Sequence, residues 1–113
     1  MNKRTVGTLT EERAVAFLTE RGYTIVECNF RCRCGEIDIV AQKDGYLVFA
    51  EVKYRRTTAC GLPEQAVDAR KQATIRKVAQ WYLVSHRLSA ETPVRFDVVA
   101  MDETEIRLYE NAF

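Results

Sequence analysis

Apolar positions recur at helical spacing over residues 9–21, where Ala14, Phe17 and Leu18 mark one face and Gly22 follows as a stop. The period then changes from helical to alternating. Residues 23–29 (YTIVECN) are rich in strand formers. Residues 35–41 (GEIDIVA) and 46–55 (YLVFAEVKYR) flank Asp44–Gly45, a dipeptide typical of tight hairpin turns. A polar loop over 56–62 ends in Gly61, and Pro63 suits the first turn of a second helix over 63–86. Val67, Ile75, Val78, Ala79 and Tyr82 form the apolar stripe of that helix. Residues 94–101 (VRFDVVAM) predict a fourth strand, and 104–109 a short fifth at an edge. Helix, three strands, helix, strand, strand predicts an α/β fold with a mixed sheet flanked by helices. A ferredoxin-like order needs a helix between the first two strands, and the chain has none there.

Three charges interrupt this pattern. On alternation, Glu36, Asp38 and Val40 share one face of their strand, with Ile37 and Ile39 on the other. Leu47, Phe49, Glu51, Lys53 and Arg55 share a face of the next strand. Folding about Asp44–Gly45 brings Asp38 near the level of Glu51 with only a small offset. A face that begins with Leu47 and Phe49 must be covered, so Glu51 and Lys53 mark a cleft at the edge of a core. Two neighbouring carboxylates favour a hard divalent cation, Mg2+ or Mn2+. Such a cation polarises a phosphoryl oxygen and activates water. A lysine beside it can orient that water and offset charge in the transition state. The bland alternative is a cross-strand ion pair of Lys53 with Asp38 or Glu51.

Two helical residues point toward the same cleft. Glu11 falls on the inner face of the first helix, as a third carboxylate or as the partner of Thr8 in a capping box. Lys71 sits in the inner stripe of the second helix, where an ammonium must reach water or an anion.

Composition narrows the class without selecting a partner. The chain has 113 residues, 47% apolar and 29% charged, with a net charge of +1. That describes one globular domain spanning 1–113, large enough to fold without disulfides or metal. No apolar run approaches a membrane span, and the start of the chain lacks a signal-peptide core, so a cytoplasmic, non-membrane protein is expected. Basic residues crowd the middle of the chain, a distribution that fits either an ordinary mixed solvated surface, which charge alone favours slightly, or a face that follows a phosphate backbone. Arg31, Arg33, Arg55, Arg56 and Lys71 are the candidate phosphate contacts. Cys28, Cys32, Cys34 and Cys60 are expected to be reduced thiols, since C-x3-C-x-C is not a standard zinc spacing. A cysteine-based metal protein is the alternative they leave open.

The segments N-F-R, G-E-I-D-I-V-A, V-F-A-E-V-K-Y-R, G-x-P-E-x-A-V-D-x-x-K and R-F-D-V-V carry a resemblance. With E-x-x-A-x-x-x-L in the first helix, they closely resemble the YraN family of predicted endonucleases. The resemblance covers about residues 7–101. It implies a restriction-endonuclease-like αβββαβ core, similar to Holliday-junction resolvases and other PD-(D/E)XK nucleases. By that resemblance Asp38 and Glu51 are metal ligands, Lys53 is the motif lysine, and the Val52 carbonyl completes the metal shell. Glu11 matches the acidic residue of the first helix, and Lys71 a position on the second. The implied activity is Mg2+- or Mn2+-dependent hydrolysis of DNA phosphodiesters, in branched or structured DNA by resemblance alone. A catalytically silent nucleic-acid-binding module of the same fold is the alternative. Resolvase-like relatives act as dimers on two-fold junctions, which leaves a homodimer open.

Overall fold

The computed structural model of the chain describes residues 6–54 and 67–113, with side chains from Leu9 onward. The expectations for Arg55, Arg56, Cys60, Gly61 and a helix start at Pro63 lie outside the described residues. The elements are α1 (Val6–Glu20), β1 (Thr24–Cys32), β2 (Gly35–Lys43), β3 (Tyr46–Tyr54), α2 (Ala69–Ser85), β4 (Val94–Met101) and β5 (Ile106–Tyr109). The five strands form one sheet in chain order. The β3–β4 pair is parallel and the other three pairs are antiparallel. A parallel pair needs a crossover connection, and α2 lies in it. This is the predicted α/β architecture, compatible with a restriction-endonuclease-like core. No helix among the described residues is long and apolar enough to cross a membrane.

Each face of the sheet has its own core. Ile75, Val78, Ala79 and Tyr82 of α2 pack on Ile37, Val40, Leu47, Phe49 and Val98. Ala14 and Leu18 of α1 pack on Ile39, Ala41, Val48, Ala50 and Val99. The predicted hairpin forms, and Asp44 and Gly45 both take positive φ, 53° and 83°. That pair of angles is the type I′ geometry Asp-Gly favours.

Both helix starts differ from expectation. α1 begins at Val6, which puts Thr8 inside the helix. Thr8 is therefore not the N-cap, and the capping box with Glu11 is set aside. α2 begins at Ala69, with the Asp68 carboxylate accepting the Lys71 N–H at 2.8 Å as N-cap. An aspartate cap directly after Val67 overrides the helical period there. Val67 precedes the helix, yet it is buried in the α2-side core.

Gly35 fixes how closely α2 approaches the start of β2. Its φ is 152°, and an added Cβ would lie 2.7 Å from Thr74 Cγ2. Gly35→Ala is expected to cost about 2 kcal/mol through overpacking. Thermal melts check this, and pairing the change with Thr74→Ser should recover only the part due to the Thr74 contact, because the positive φ and the Val78 contact remain.

A polar group is buried beneath the end of α1. Arg95 donates from Nε to Asp97 Oδ1 at 3.0 Å and from Nη2 to Oδ2 at 2.9 Å. Tyr23 donates its hydroxyl to Asp97 Oδ2 at 2.7 Å and accepts from Arg95 Nη2 at 2.9 Å. The Asn111 N–H adds a bond to Asp97 Oδ1 at 2.9 Å. Asp97 is fully buried, so these bonds replace its lost hydration. Burial and the bonded Asp97 carboxylate hold the Tyr23 hydroxyl well above its usual range. Tyr23→Phe removes two bonds to charged groups and is expected to cost about 2 kcal/mol in denaturant unfolding.

Candidate active site

The site lies where the sheet divides. β2 and β3 are paired from Lys43↔Tyr46 to Ile39↔Ala50 and then separate. Past that point β2 stays with β1, through Phe30↔Ile37 and Arg31↔Glu36. β3 stays with β4, from Glu51↔Val98 to Tyr54↔Met101. Asp38 and Glu51 are the first residues beyond the last shared rung, one on each arm of the fork. Continuing the register puts them level, without the offset the sequence allowed.

Strict alternation fails at this point. Ile37 packs into the α2-side core and Ile39 into the α1-side core, although residues two apart on a regular strand share a face. Glu36, Asp38 and Val40 therefore do not form the single face expected from alternation. Asp38 sits at the changeover, and its Oδ2 accepts the Val52 N–H at 2.8 Å. The carboxylate thus spans the fork toward β3, supplying the partner that β2 no longer gives. In an extended strand a residue's N–H and C=O face the same edge, so the Val52 carbonyl also faces the fork.

Glu51 and Lys53 keep the α2 side of β3, in phase with Leu47 and Phe49. Glu51 is 4% exposed. Its Oε2 lies 3.6 Å from Lys71 Nζ, and its Oε1 is buried with no hydrogen-bond partner. Burial, and then the neighbouring Asp38 charge, push the Glu51 carboxyl up to about 7. Burial also raises the Asp38 carboxyl, against the lowering effect of the Val52 N–H bond. Among the described residues Lys53 makes no salt bridge, and its charge is felt by Glu51.

The helices supply the remaining charges. Glu11 of α1 accepts from Asn29 Nδ2 at 2.9 Å through Oε1, and its charge reaches Asp38. Lys71 is the cation of the Glu51 pair, on the first turn of α2. Arg31 is drawn instead into a 2.8 Å pair with Glu36 at the tip of the β1–β2 arm. Arg33 lies in the turn beyond it.

Sequence reasoning missed Asn29. The signal was available: asparagine is depleted in strands and tolerates left-handed backbone, yet it stands in a β-rich run. Its φ is 57°. The cysteines separate. Cys28 packs toward the α1-side core and Cys32 toward the α2-side core, while Cys34 is exposed. Among the described residues no three His, Cys, Asp or Glu side chains are grouped to hold a metal. The available donor set is therefore two carboxylates and a main-chain carbonyl. A buried, unpartnered oxygen beside a second carboxylate fits a small hard cation, which keeps several of its own waters.

The sequence profile of the uncharacterised protein family UPF0102 matches residues 10–101. A UPF0102 protein of Lachnoclostridium phytofermentans is 52% identical over 113 residues, covering 100% of this chain and 96% of its own. One of Syntrophus aciditrophicus is 47% identical over 116 residues, covering 99% and 90%. One of Caldicellulosiruptor bescii is 43% identical over 119 residues, covering 100% of both chains. With a profile and full-length relatives in agreement, the chain belongs to the UPF0102 family, the family of the YraN proteins that its motifs resemble.

Proposed function

We propose that the chain is a Mg2+- or Mn2+-dependent endonuclease acting on DNA, working in the cytoplasm. The observation that carries this reading is Glu51 Oε1, buried without a partner beside Asp38 in the fork. Asp38, Glu51 and the Val52 carbonyl would hold the cation, with Glu11 reaching it through one of the cation's waters. A bound divalent ion supplies Lewis acidity toward a phosphodiester.

The chain's own groups do the rest. The Val52 N–H fixes Asp38, so its free oxygen has a defined place. The Lys53 ammonium, on the same side of β3 as Glu51, can orient the attacking water and offset charge growing on the phosphoryl oxygens. Water adds to phosphorus, the bridging P–O bond breaks, and the leaving oxygen takes up a proton. Arg33 is the arginine in the turn at the tip of the fork and suits a neighbouring phosphate. Arg31 contributes only if it exchanges Glu36 for a phosphate. Arg55 and Arg56 keep their proposed phosphate role from the motif alone. Branched or structured DNA, and action as a homodimer, are the finer parts of the proposal.

One observation favours a binding module without turnover. Lys71 already brings a cation to Glu51, at 3.6 Å. A panel of linear, flapped and four-way DNA incubated with Mn2+ separates the readings. Metal-dependent cleavage supports the endonuclease. Retained binding with no cut in any substrate overturns it in favour of the binding module.

A further inference from the structure

Asn29 combines three features that a strand residue seldom has together. Its backbone is left-handed, with φ 57°. Its place in the register is opposite Asp38, between Cys28↔Ile39 and Phe30↔Ile37. Its side-chain amide donates to Glu11 Oε1 at 2.9 Å, joining β1 to α1.

The backbone feature has a visible consequence. Cys28 packs toward the α1-side core and Phe30 toward the α2-side core, so β1 rolls over between them. β2 also changes face at this level, between Ile37 and Ile39, but without a positive φ at Asp38. Asn29 and Asp38 are the central residues of these two changeovers. β1 makes its turn through the positive φ of Asn29, a conformation that glycine and asparagine accept most readily. Glycine would supply that conformation alone. Asparagine adds a donor, and the donor is used on Glu11.

We infer that Asn29 is a positioning residue of the acidic site: its left-handed backbone turns β1 over beside Asp38, and its amide holds the Glu11 carboxylate toward the fork. The inference rests on the metal-site reading above. Stability alone does not explain the amide, because the bond is exposed and such a bond contributes little to folding. Holding Oε1 limits the rotamers of Glu11 and so fixes the place of Oε2. Without that bond, Glu11 is free to swing into solvent, away from Asp38, whose charge it now influences.

Two variants separate the backbone role from the amide role. Asn29→Gly keeps the left-handed conformation and deletes only the donor. Asn29→Ala deletes the donor and adds backbone strain. Mn2+ is titrated into each protein and into wild type, followed by electron paramagnetic resonance, with thermal melts alongside. Asn29→Gly should melt close to wild type and bind Mn2+ about tenfold more weakly, the usual effect of removing a group that orients a ligand. Asn29→Ala should lose the same affinity and also melt several degrees lower. Wild-type Mn2+ affinity in Asn29→Gly overturns the positioning role while leaving the metal site standing. No Mn2+ uptake by wild type overturns the metal-site reading, and this inference with it.

Discussion

Asp38→Asn is expected to abolish the proposed Mn2+-dependent DNA cleavage while leaving the fold intact. The expected loss is about a hundred- to a thousandfold, the range seen when one group stabilising charge in the transition state is removed. Asparagine is the informative change because its side-chain oxygen can still accept the Val52 N–H, now bonded at 2.8 Å. Alanine would leave that half-buried N–H without a partner, at a cost of about 1–3 kcal/mol, and would mix folding with chemistry. Lys53→Ala should match the loss of activity but retain Mn2+ binding, since Lys53 is not a ligand in this scheme. Single-turnover cleavage beside Mn2+ titration checks both variants. An Asp38→Asn protein that cuts at the wild-type rate removes Asp38 from the mechanism.

Glu51→Gln is expected to make the protein more stable above neutral pH. The folded-state carboxyl is raised from 4.5 to about 7, chiefly by burial and then by Asp38. Between those two values the folded state holds the proton and the unfolded state gives it up. Stability must then fall as pH rises through that window, and the full cost is present above it. At about 1.4 kcal/mol per pH unit, the cost reaches about 3 kcal/mol. A glutamine side chain at this position would carry no charge and escape that cost, which is already net of the Lys71 attraction, though its buried amide would lack a good partner, at about 1 kcal/mol. A net gain of about 2 kcal/mol at pH 8 should raise the melting temperature by roughly 5–10 °C. Near pH 4 the two proteins should melt alike. Mg2+ or Mn2+ should raise the wild-type melting temperature at pH 8 and leave Glu51→Gln nearly unmoved. Stability sacrificed at a buried carboxylate is what a binding site costs the fold.

Much of the frame was legible because it rests on periodicity. The two helices follow the apolar stripes of Ala14 and Leu18 and of Ile75, Val78, Ala79 and Tyr82. The Asp44–Gly45 turn fixes the hairpin register, and with it the pairing of Ile39 with Ala50. From that register the level of Asp38 and Glu51 follows by counting. What was not legible depends on long-range geometry. Alternation could not foresee that β2 leaves β3 after Ile39, nor that Asp38 would bond the Val52 N–H. The start of α2 was misread for a local reason: Asp68 caps the helix where the apolar period seemed to begin earlier. Arg95 and Asp97 stand two apart on β4, a spacing that puts both on one face, but their burial with Tyr23 needed the third dimension.

The central claim is that the fork between β2 and β3 is a divalent-cation site. A crystal soaked in Mn2+ and measured at the manganese absorption edge tests it most directly. An anomalous peak between Asp38 and Glu51, within coordination distance of the Val52 carbonyl, is the expected result. A fork that stays empty at saturating Mn2+, with Glu51 still held by Lys71, would contradict it.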